Sequence, residues 1–486
     1  MATPASRPNL ALFLLSSLLS PLCLPAQTPP QAIVNVNIID VIRGQVIPAQ
    51  TVLLANGHIA ALGPATAIAI PAGTHRIPGD GRYLIPGLWD MHVHLRSDQA
   101  KPAARLIEEN AAMLDLFLPN GVTGIREMGG DLSDEVLQWR DQIRAGTRPG
   151  PRILTAGRKI DNEPPAWAGS LGVATPDEAR QAVRQMKQAG ADFIKVYFRH
   201  TTSKILRAVV DEAHASHLKV TGHQPLNLSV QEFFDSGIDG MEHSQYLVAT
   251  NRDDYDRMTR ESTAREGKPW SMDNAEMAAR LLAMEDAAET TQIHRRMAEK
   301  GFWVTPTLTV YDHTLENGAR EYDSDPRKRY IPQPIWATWD PKTSFRRPLP
   351  ARTLAIREAS VKRWDALALA AHKAGVPMLL GTDCGANNDF TFPGFSVHEE
   401  LAALVRAGFT PGEALRLATI NAARWRGEAA TEGSVEKDKV ADLVLLRSNP
   451  LETIRHTQEI DAVFQAGHYF DRPALDAMLA RAASAK

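Results

Sequence analysis

An apolar run from Tyr83 to Leu95, YLIPGLWDMHVHL, ends in two histidines that are separated by one residue. In an extended strand, side chains two residues apart share a face, so His92 and His94 point the same way from a strand with a hydrophobic body. Two neutral imidazoles that converge on one point suit a divalent first-row metal ion. Alone, such a pair is more often an ordinary half-exposed strand face, so its meaning depends on ligands from other strands.

Length and charge narrow the classes of protein that this chain can belong to. Its 486 residues are too many for one small domain and suit a large α/β barrel with an appended domain. The net charge is -3 at pH 7, and no block rich in lysine and arginine occurs. The sequence therefore lacks the cluster of positive charge that is typical of a protein that binds nucleic acid or an anionic membrane surface.

The N-terminus has the order of features found in a secretory signal peptide. Arg7 precedes an apolar segment, Leu10–Ala26, that ends in the small residue Ala26. We predict a signal peptide over residues 1–26 and a periplasmic or secreted protein, with a buried N-terminal helix as the alternative. The segment is too short to span a bilayer comfortably, so no membrane span is expected after cleavage. Removal of Cys23 would leave Cys384 alone and exclude an intrachain disulfide.

Both ends of the chain are rich in short β patterns. Residues 32–64 contain β-branched and apolar runs that are split by Asn56-Gly57, a hairpin signal. A second set of such runs lies at 442–446 and 459–470. We predict that residues 27–85 and 426–486 pair into one small β-sandwich domain, with the C-terminal tail, and that the middle of the chain is inserted between them.

The middle of the chain, residues 86–425, alternates strand and helix patterns at intervals of roughly 30 residues, which is typical of parallel βα units. Amphipathic helices are clearest at Ala103–Leu118, Thr175–Ala189 and Ser203–Ser216. Eight such units predict an α/β fold, a (β/α)8 TIM barrel. The eight strands are predicted at Leu84–His94, Val122–Glu127, Arg152–Ala156, Phe193–Tyr197, Leu218–His223, Gly240–His243, Phe302–Pro306 and Pro377–Asp383.

Two inserts interrupt the regular spacing of the barrel, near 247–289 and 311–350. The second contains Trp336, Trp339 and many prolines, a composition that argues against simple disorder. If these loops leave the catalytic face, they form a lid or a substrate wall. An oligomer contact or a disordered surface loop is the alternative.

Four further polar residues lie at the carboxyl ends of other predicted strands. Lys195 ends strand four, His223 strand five, His243 strand six and Asp383 strand eight. Each has an ordinary structural explanation when it is taken alone: a solvent-reaching lysine, a hydrogen-bonded histidine, a turn residue or a helix cap. Because the carboxyl ends of barrel strands meet at one face, the shared position of all of them with the His92 pair predicts a joint metal site.

With these residues in place, the chain resembles the amidohydrolase superfamily, and within it the imidazolonepropionase-like and prolidase-like branch that includes Xaa-Pro dipeptidases and ochratoxinase-type enzymes. The resemblance covers nearly the whole chain after the signal segment. It rests on PGLWDMHVH, the lysine on strand four, the GH, EH and GTD strand ends, and the tail LAALVRAGFTPGEALRLATINAARWRG followed by GSVEKDKVADLVLL and NPLETI.

The resemblance implies two divalent metal ions, usually zinc, in one centre. His92, His94 and Asp383 would hold the more buried ion, His223 and His243 the more exposed one, and a carbamate on Lys195 would bridge them. The resemblance also implies that Asp383 and His243 are the catalytic residues, and that Asp383 would move a proton from a metal-activated water to the leaving nitrogen. One departure is visible, because Thr221 stands where the branch has a second histidine on strand five. We expect Thr221 to affect groups behind the ligands and not the ligand set.

The substrate is less constrained than the metal site. Tyr197, Tyr311 and Arg126 are the candidates for binding a substrate carboxylate, although an ion pair with Glu127 or Asp131 would equally explain Arg126. The function implied is a secreted metal-dependent hydrolase of amide bonds in dipeptides, N-acyl amino acids or similar small molecules. A cyclic-amide hydrolase resembling imidazolonepropionase and a non-catalytic scaffold of the same fold are the alternatives. We also expect a homo-oligomer.

Overall fold

The computed structural model describes residues 30–97, 105–250, 253–254, 279–280, 282–315, 324–339, 349–386 and 388–484. The predicted signal peptide over residues 1–26 lies outside these residues. So do parts of both predicted inserts. In the part of the chain that is described, no helix is both long and apolar enough to cross a membrane.

Strands from both ends of the chain form one mixed sheet of eight strands. Its two halves join where Leu443–Leu446 runs antiparallel to Tyr83–Pro86. The predicted hairpin at Asn56-Gly57 is confirmed: both residues have positive φ, 51° and 80°, as a two-residue hairpin turn requires. The strands are Gln31–Asp40, Gln45–Ala55, His58–Pro64, His75–Pro78, Tyr83–Pro86, Leu443–Leu446, Ile460–Gln465 and His468–Asp471.

This sheet has a hydrophobic core of its own. Ile33, Val52, Leu84 and Phe464 are among its fully buried members, and they come from strands of both ends of the chain. Each half alone would leave one apolar face exposed to water, so we expect neither half of the sheet to be stable without the other. The precise domain boundaries stay predictions.

The middle of the chain folds as the predicted parallel barrel. Seven of the eight predicted strands form ladders, mostly within narrower bounds than the sequence pattern suggests. Two short strands that were not predicted, Ile160–Asn162 and Leu171–Val173, extend the sheet beside the fourth strand. The seven barrel strands are Leu88–His94, Val122–Glu127, Arg152–Thr155, Ile194–Tyr197, Val220–Gly222, Gly240–Glu242 and Trp303–Thr305.

The eighth predicted strand, Pro377–Asp383, differs from the expectation in form. It closes the barrel through backbone hydrogen bonds to both neighbours, among them Leu379 N to Val304 O at 2.9 Å and Met91 N to Leu380 O at 2.8 Å. The regular ladder with the first strand lies one step later, at Cys384–Gly385. A residue with a side chain would not fit at position 381 of this segment, because a Cβ at Gly381 would lie 2.7 Å from His92 Cβ and 2.5 Å from a methyl group of Thr305.

Helices surround the barrel. The predicted helix at 175–189 is confirmed as Pro176–Ala189, and Thr175 caps it in a capping box with Glu178. Of the predicted helix at 103–118, residues 103–104 lie outside the described residues. Within 105–118, Ile107–Met113 is α-helical and 3-10 turns follow it. In the described part of the chain, the α-helices include Ile107–Met113, Ser133–Arg144, Pro176–Ala189, Ser203–Ala215, Val230–Asp235, Ala287–Lys300, Leu308–Leu315, Gln333–Trp336, Ala351–Lys373, Phe395–Ala407, Pro411–Leu417, Ile420–Arg426 and Arg472–Ser484.

The described parts of the inserts pack against the barrel. In the first insert, Thr250 forms a bridge with Glu285, which brings its two described ends together. In the second, Ile335 and Trp339 are buried in an aromatic cluster with Phe390. The alternative of a disordered surface loop is therefore wrong for residues 324–339.

Candidate active site

The six groups predicted to bind metal lie together at the carboxyl ends of the barrel strands. The Nε2 atoms of His92 and His94 lie 3.4 and 3.2 Å from Asp383 Oδ1. On the other side, Nε2 of His243 lies 2.8 Å from Nε2 of His223. One donor atom each from His92, His243 and Asp383 lie within 4.8 Å of one another. Nitrogen and oxygen donors that converge this closely are the arrangement that a divalent cation needs.

A buried carboxylate orients His92. Nδ1 of His92 lies 2.8 Å from Oε2 of Glu242, and Glu242 also accepts hydrogen bonds from Arg126 Nη2 at 2.9 Å and from Thr221 Oγ1 at 2.6 Å. Because Nδ1–H donates to a carboxylate, the lone pair of Nε2 is left facing Asp383. Thr221 therefore does what the sequence suggested, since its hydroxyl acts on a group behind the ligand.

The Glu242–Arg126 pair is ionised although it is buried. Burial by itself would raise the pKa of Glu242, but Arg126 and the hydrogen bond from His92 outweigh it and hold that pKa well below its ordinary value. Neither residue exposes more than 1% of its surface. The barrel interior thus holds a charged pair directly beneath the predicted metal site.

His223 and His243 directly follow strands five and six, where the backbone is closely packed or has an unusual conformation. A Cβ at Gly222, just before His223, would lie 2.1 Å from the carbonyl oxygen of Val196. His243 has a φ of 74°, which is unusual for a residue with a side chain, and its Nδ1 lies 2.7 Å from Thr307 Oγ1. Strained backbone of this kind persists where surrounding contacts hold it, typically at functional sites.

The protonation states of the site suit metal ligands. Burial lowers the pKa of all four histidines, to about 3 for His243, so the imidazoles are neutral at pH 7. Burial would raise the pKa of Asp383, but His92 and His94 outweigh it and hold that pKa far below its usual range. Neutral imidazoles beside a carboxylate are the donor set that zinc and similar ions bind.

Lys195 is the unusual member of the site. It is 1% exposed, and among the described residues its Nζ has no hydrogen-bond partner. Burial lowers the pKa of its amine to about 8, so a useful fraction of the amine is neutral near neutral pH. An unpartnered, partly neutral amine among groups that are predicted to bind metal fits a lysine that would be converted to a carbamate by carbon dioxide.

A cavity of about 260 Å³ opens onto these groups. Five of the six predicted ligands line it, and His92 lies beneath. Tyr197 and Tyr311 also line it, as the sequence predicted, with ring centroids 4.5 Å from His223 and 6.3 Å from His243, respectively. These two tyrosines are therefore within reach of a bound substrate.

Arg126 does not have the position that substrate binding requires. Its guanidinium is engaged by Glu242 and by the carbonyl oxygen of Met91 at 2.6 Å, and it lies between the rings of Phe193 and Trp425. It does not line the cavity. The predicted role of Arg126 in binding a carboxylate is therefore wrong, and its ion-pair partner is Glu242 instead of Glu127 or Asp131.

Several residues in or beneath the site were missed from the sequence. Arg96 lies two residues after His94, so the alternation that joined His92 to His94 would also have found it. Glu242 directly precedes His243 and carried no separate signal. The other missed residues that line the cavity lie on loops, turns or helices without a local motif: Lys159, Trp167, Gln245, Tyr246, Val310, Arg357 and Trp364.

Comparison with known proteins agrees with this geometry. The model of the family described as "Amidohydrolase family" matches residues 83–469. Ochratoxinase from Aspergillus niger is 25% identical over 460 residues, which cover 83% of this chain and 78% of that protein.

Two solved structures share the fold. A candidate prolidase from Bifidobacterium longum is 27% identical, with a TM-score of 0.64, and the match covers 93% of this chain and 99% of that one. A Xaa-Pro dipeptidase with bound methionine is 20% identical, with a TM-score of 0.66, and the match covers 91% and 100%. The likeness extends over the barrel and the sheet built from both chain ends. The chain therefore belongs to the amidohydrolase family, whose members generally bind divalent metal ions, and is a hydrolase that acts on carbon–nitrogen bonds.

Proposed function

We propose that this chain is a binuclear metal-dependent amidase that cleaves an amide bond in a dipeptide, an N-acyl amino acid or a similar small molecule with a carboxylate. The observation that carries this proposal is the convergence of four neutral histidines, Asp383 and the buried amine of Lys195 at one cavity. His92, His94 and Asp383 would hold one ion and His223 and His243 the other, with a carbamate on Lys195 between them.

When bound, the two ions supply Lewis acidity, which lowers the pKa of water and polarises a carbonyl group. The side chains have separate tasks. Asp383 is a carboxylate at neutral pH, so its oxygen accepts the proton of the attacking water and hands it to the leaving nitrogen. Tyr197 lines the cavity beside His223 and Tyr311 lines it beside His243, so both orient the substrate there.

One wall of the cavity is cationic. The guanidinium carbon of Arg96 lies 4.4 Å from the centre of the Trp167 ring, and Lys159 Nζ lies 4.8 Å from it. Of the described residues that line the cavity, Asp383 alone is a carboxylate. A substrate carboxylate placed at this wall would be held by charge-assisted hydrogen bonds, which favours amide-linked carboxylates over neutral amides.

A second part of the cavity lining is aromatic. Tyr311 and Trp364 contact each other with ring centroids 4.8 Å apart, and Tyr246 lies nearby on the cavity surface. Aromatic side chains offer a large apolar surface, so we propose that the group across the scissile bond from the carboxylate is apolar or aromatic. The similarity to a Xaa-Pro dipeptidase and to an ochratoxinase supports this substrate class.

The metal model is tested by metal analysis of the purified protein. We expect close to two equivalents of divalent metal, loss of amidase activity on chelation, and recovery on zinc addition. Lys195→Ala should bind less metal and lose activity. One equivalent of metal together with full activity in Lys195→Ala would contradict the bridged centre.

The substrate model is tested with pairs of N-acyl amino acids in which the free carboxylate is retained or converted to a carboxamide. Arg96→Met should raise KM at least about tenfold for the acid, as loss of a charge-assisted hydrogen bond implies, and change it little for the carboxamide. The carboxamide is the internal control for damage to the site. Equal losses on both substrates would show that Arg96 does not bind the carboxylate.

We also propose that the protein is exported, because the order of charge, apolar core and small residue over positions 1–26 is that of a signal peptide. Fractionation of cells that express the full chain, with N-terminal sequencing of the mature protein, tests this. A protein that stays in the cytoplasm with residues 1–26 intact would contradict export.

A further inference from the structure

The described part of the second insert, residues 324–339, packs against the loop that follows Asp383. We call residues 384–386 and 388–392 the post-Asp383 loop. Trp339 is 2% exposed, and its ring centroid lies 5.6 Å from that of Phe390 and 5.6 Å from that of Phe392. Its indole N–H donates a hydrogen bond of 2.7 Å to the carbonyl oxygen of Ala386, which is fully buried. This contact joins the insert to the backbone three residues after Asp383.

Further contacts fix the same segment to the barrel. Arg327 lies over the ring of Phe392 at 4.2 Å and donates a hydrogen bond of 2.6 Å to Glu399 on the following helix. Tyr330 stacks on Phe395 with centroids 5.5 Å apart. Residues 324–339 do not line the cavity. This part of the insert is therefore an anchored support behind the active site and not a cover above it.

The post-Asp383 loop is connected to Asp383 itself. Asp383 has a φ of 58°, so its backbone is in a conformation that surrounding contacts must maintain. The side-chain amide of Asn388 donates a hydrogen bond to the carbonyl oxygen of Asp383. The next two residues, Cys384 and Gly385, pair with the first barrel strand beside His94. A shift of this loop would therefore move the Asp383 carboxylate relative to the histidines.

We propose that Trp339 is a positioning residue for the reaction: its N–H fixes the post-Asp383 loop, and the loop fixes the carboxylate of Asp383. This inference rests on the proposed function only in the role given to Asp383. The physical reason is that the Trp339 N–H satisfies a buried carbonyl group that has no access to water, so the loop has one favoured arrangement. Displacement of a catalytic group by about 1 Å can cost about a hundredfold in rate.

The test compares Trp339→Phe with the matched control Trp336→Phe. Trp336 belongs to the same aromatic cluster, 5.4 Å from Phe390, and its replacement leaves the bond to Ala386 intact. In the metal-loaded enzyme, Trp339→Phe should lower kcat about tenfold or more with KM within about twofold, whereas Trp336→Phe should leave both close to the parent values.

A second readout does not depend on activity. Hydrogen exchange of peptides that cover residues 383–392 should be faster in Trp339→Phe than in the parent or in Trp336→Phe, with and without metal. If the parent enzyme turns over no amide, the proposed function fails, while the exchange result still decides the role of Trp339. Equal exchange and equal kcat in the two variants would overturn the proposal. If Trp339→Phe does not fold, 3-benzothienylalanine at position 339 keeps the ring shape, removes only the N–H and should give the same result.

Discussion

The buried pair of Glu242 and Arg126 gives the sharpest test of how the barrel interior supports the metal site. Glu242→Gln keeps the shape of the side chain but removes its charge. Arg126 would then be a buried cation without a counter-ion, since its Nη2 lies 2.9 and 3.0 Å from the two carboxylate oxygens. Removing one partner of a buried ion pair costs about 3–5 kcal/mol, because the remaining charge stays desolvated.

Metal binding should weaken in the same variant. His92 Nδ1 donates to Glu242 at 2.8 Å, and this bond sets the tautomer in which Nε2 faces Asp383. Loss of the carboxylate that accepts a hydrogen bond from a metal-binding histidine typically costs about 10–100-fold in metal affinity. The two effects have different causes, so a second variant can separate them.

The double variant Arg126→Met with Glu242→Leu separates stability from metal binding. Replacing both charges by apolar groups removes the stranded cation, so stability should recover relative to Glu242→Gln. Metal affinity should stay low, because His92 Nδ1 still lacks its carboxylate acceptor. Urea unfolding of the metal-free proteins and zinc titration measure the two quantities. A Glu242→Gln protein within about 0.5 kcal/mol of the parent, with unchanged zinc affinity, would refute this reasoning.

The pH dependence has a definite sign. Arg126 and His92 outweigh burial and hold the pKa of Glu242 below its value in the unfolded chain. A carboxyl group with a lowered pKa contributes stability that is present above the unfolded pKa, about 4.3, and is lost as the pH falls below it. The stability difference between the parent and Glu242→Gln should therefore be constant from pH 7 to pH 5 and shrink at lower pH.

Three further changes test the surroundings of the site. Thr221→Val removes the hydroxyl that donates to Glu242 at 2.6 Å, so unfolding should require about 1–3 kcal/mol less than in the control Thr221→Ser, and equal stability would contradict that bond. Gly381→Ala places a Cβ 2.7 Å from His92 Cβ, so stability should fall by about 1–3 kcal/mol and zinc affinity should fall with it, measured by unfolding and titration. Because the pKa of Lys195 is lowered to about 8, the rate of carbamate formation in metal-free protein at one fixed concentration of dissolved 13CO2, followed by 13C NMR, should rise up to about pH 8 and then level off. A continued rise toward pH 10 would indicate an ordinary lysine.

The sequence predicted the barrel and the metal site because both depend on patterns that are local to single strands. His92 and His94 end one strand, and Lys195 and Asp383 end two others, each after an apolar run. Parallel strands of a barrel place their carboxyl ends at one face whatever the side chains between them are. Position along the strand was therefore enough to bring these residues together without any knowledge of individual contacts.

The same reasoning failed for Arg126 because it uses only position along a strand. Arg126 lies near the end of the second strand, as the predicted metal ligands do on theirs, but its side chain turns into the barrel interior toward Glu242. A pair 116 residues apart leaves no local signal. Trp339 is a similar case, since its partner is a backbone carbonyl group that carries no sequence information.

These two failures have a common physical origin. The predicted ligands can be found by residue type, since few side chains bind metal. The residues that hold these ligands in place cannot, because any residue that offers the missing hydrogen-bond donor or acceptor can serve. His92 needs an acceptor for Nδ1–H, and the buried carbonyl of Ala386 needs a donor, and many residue types in many places can supply either. In this fold Glu242 and Trp339 supply these groups, and only the three-dimensional structure identifies them. The substitutions most informative about catalysis in this chain are therefore those at supporting residues, where the predicted loss comes from geometry while the ligand set itself stays intact.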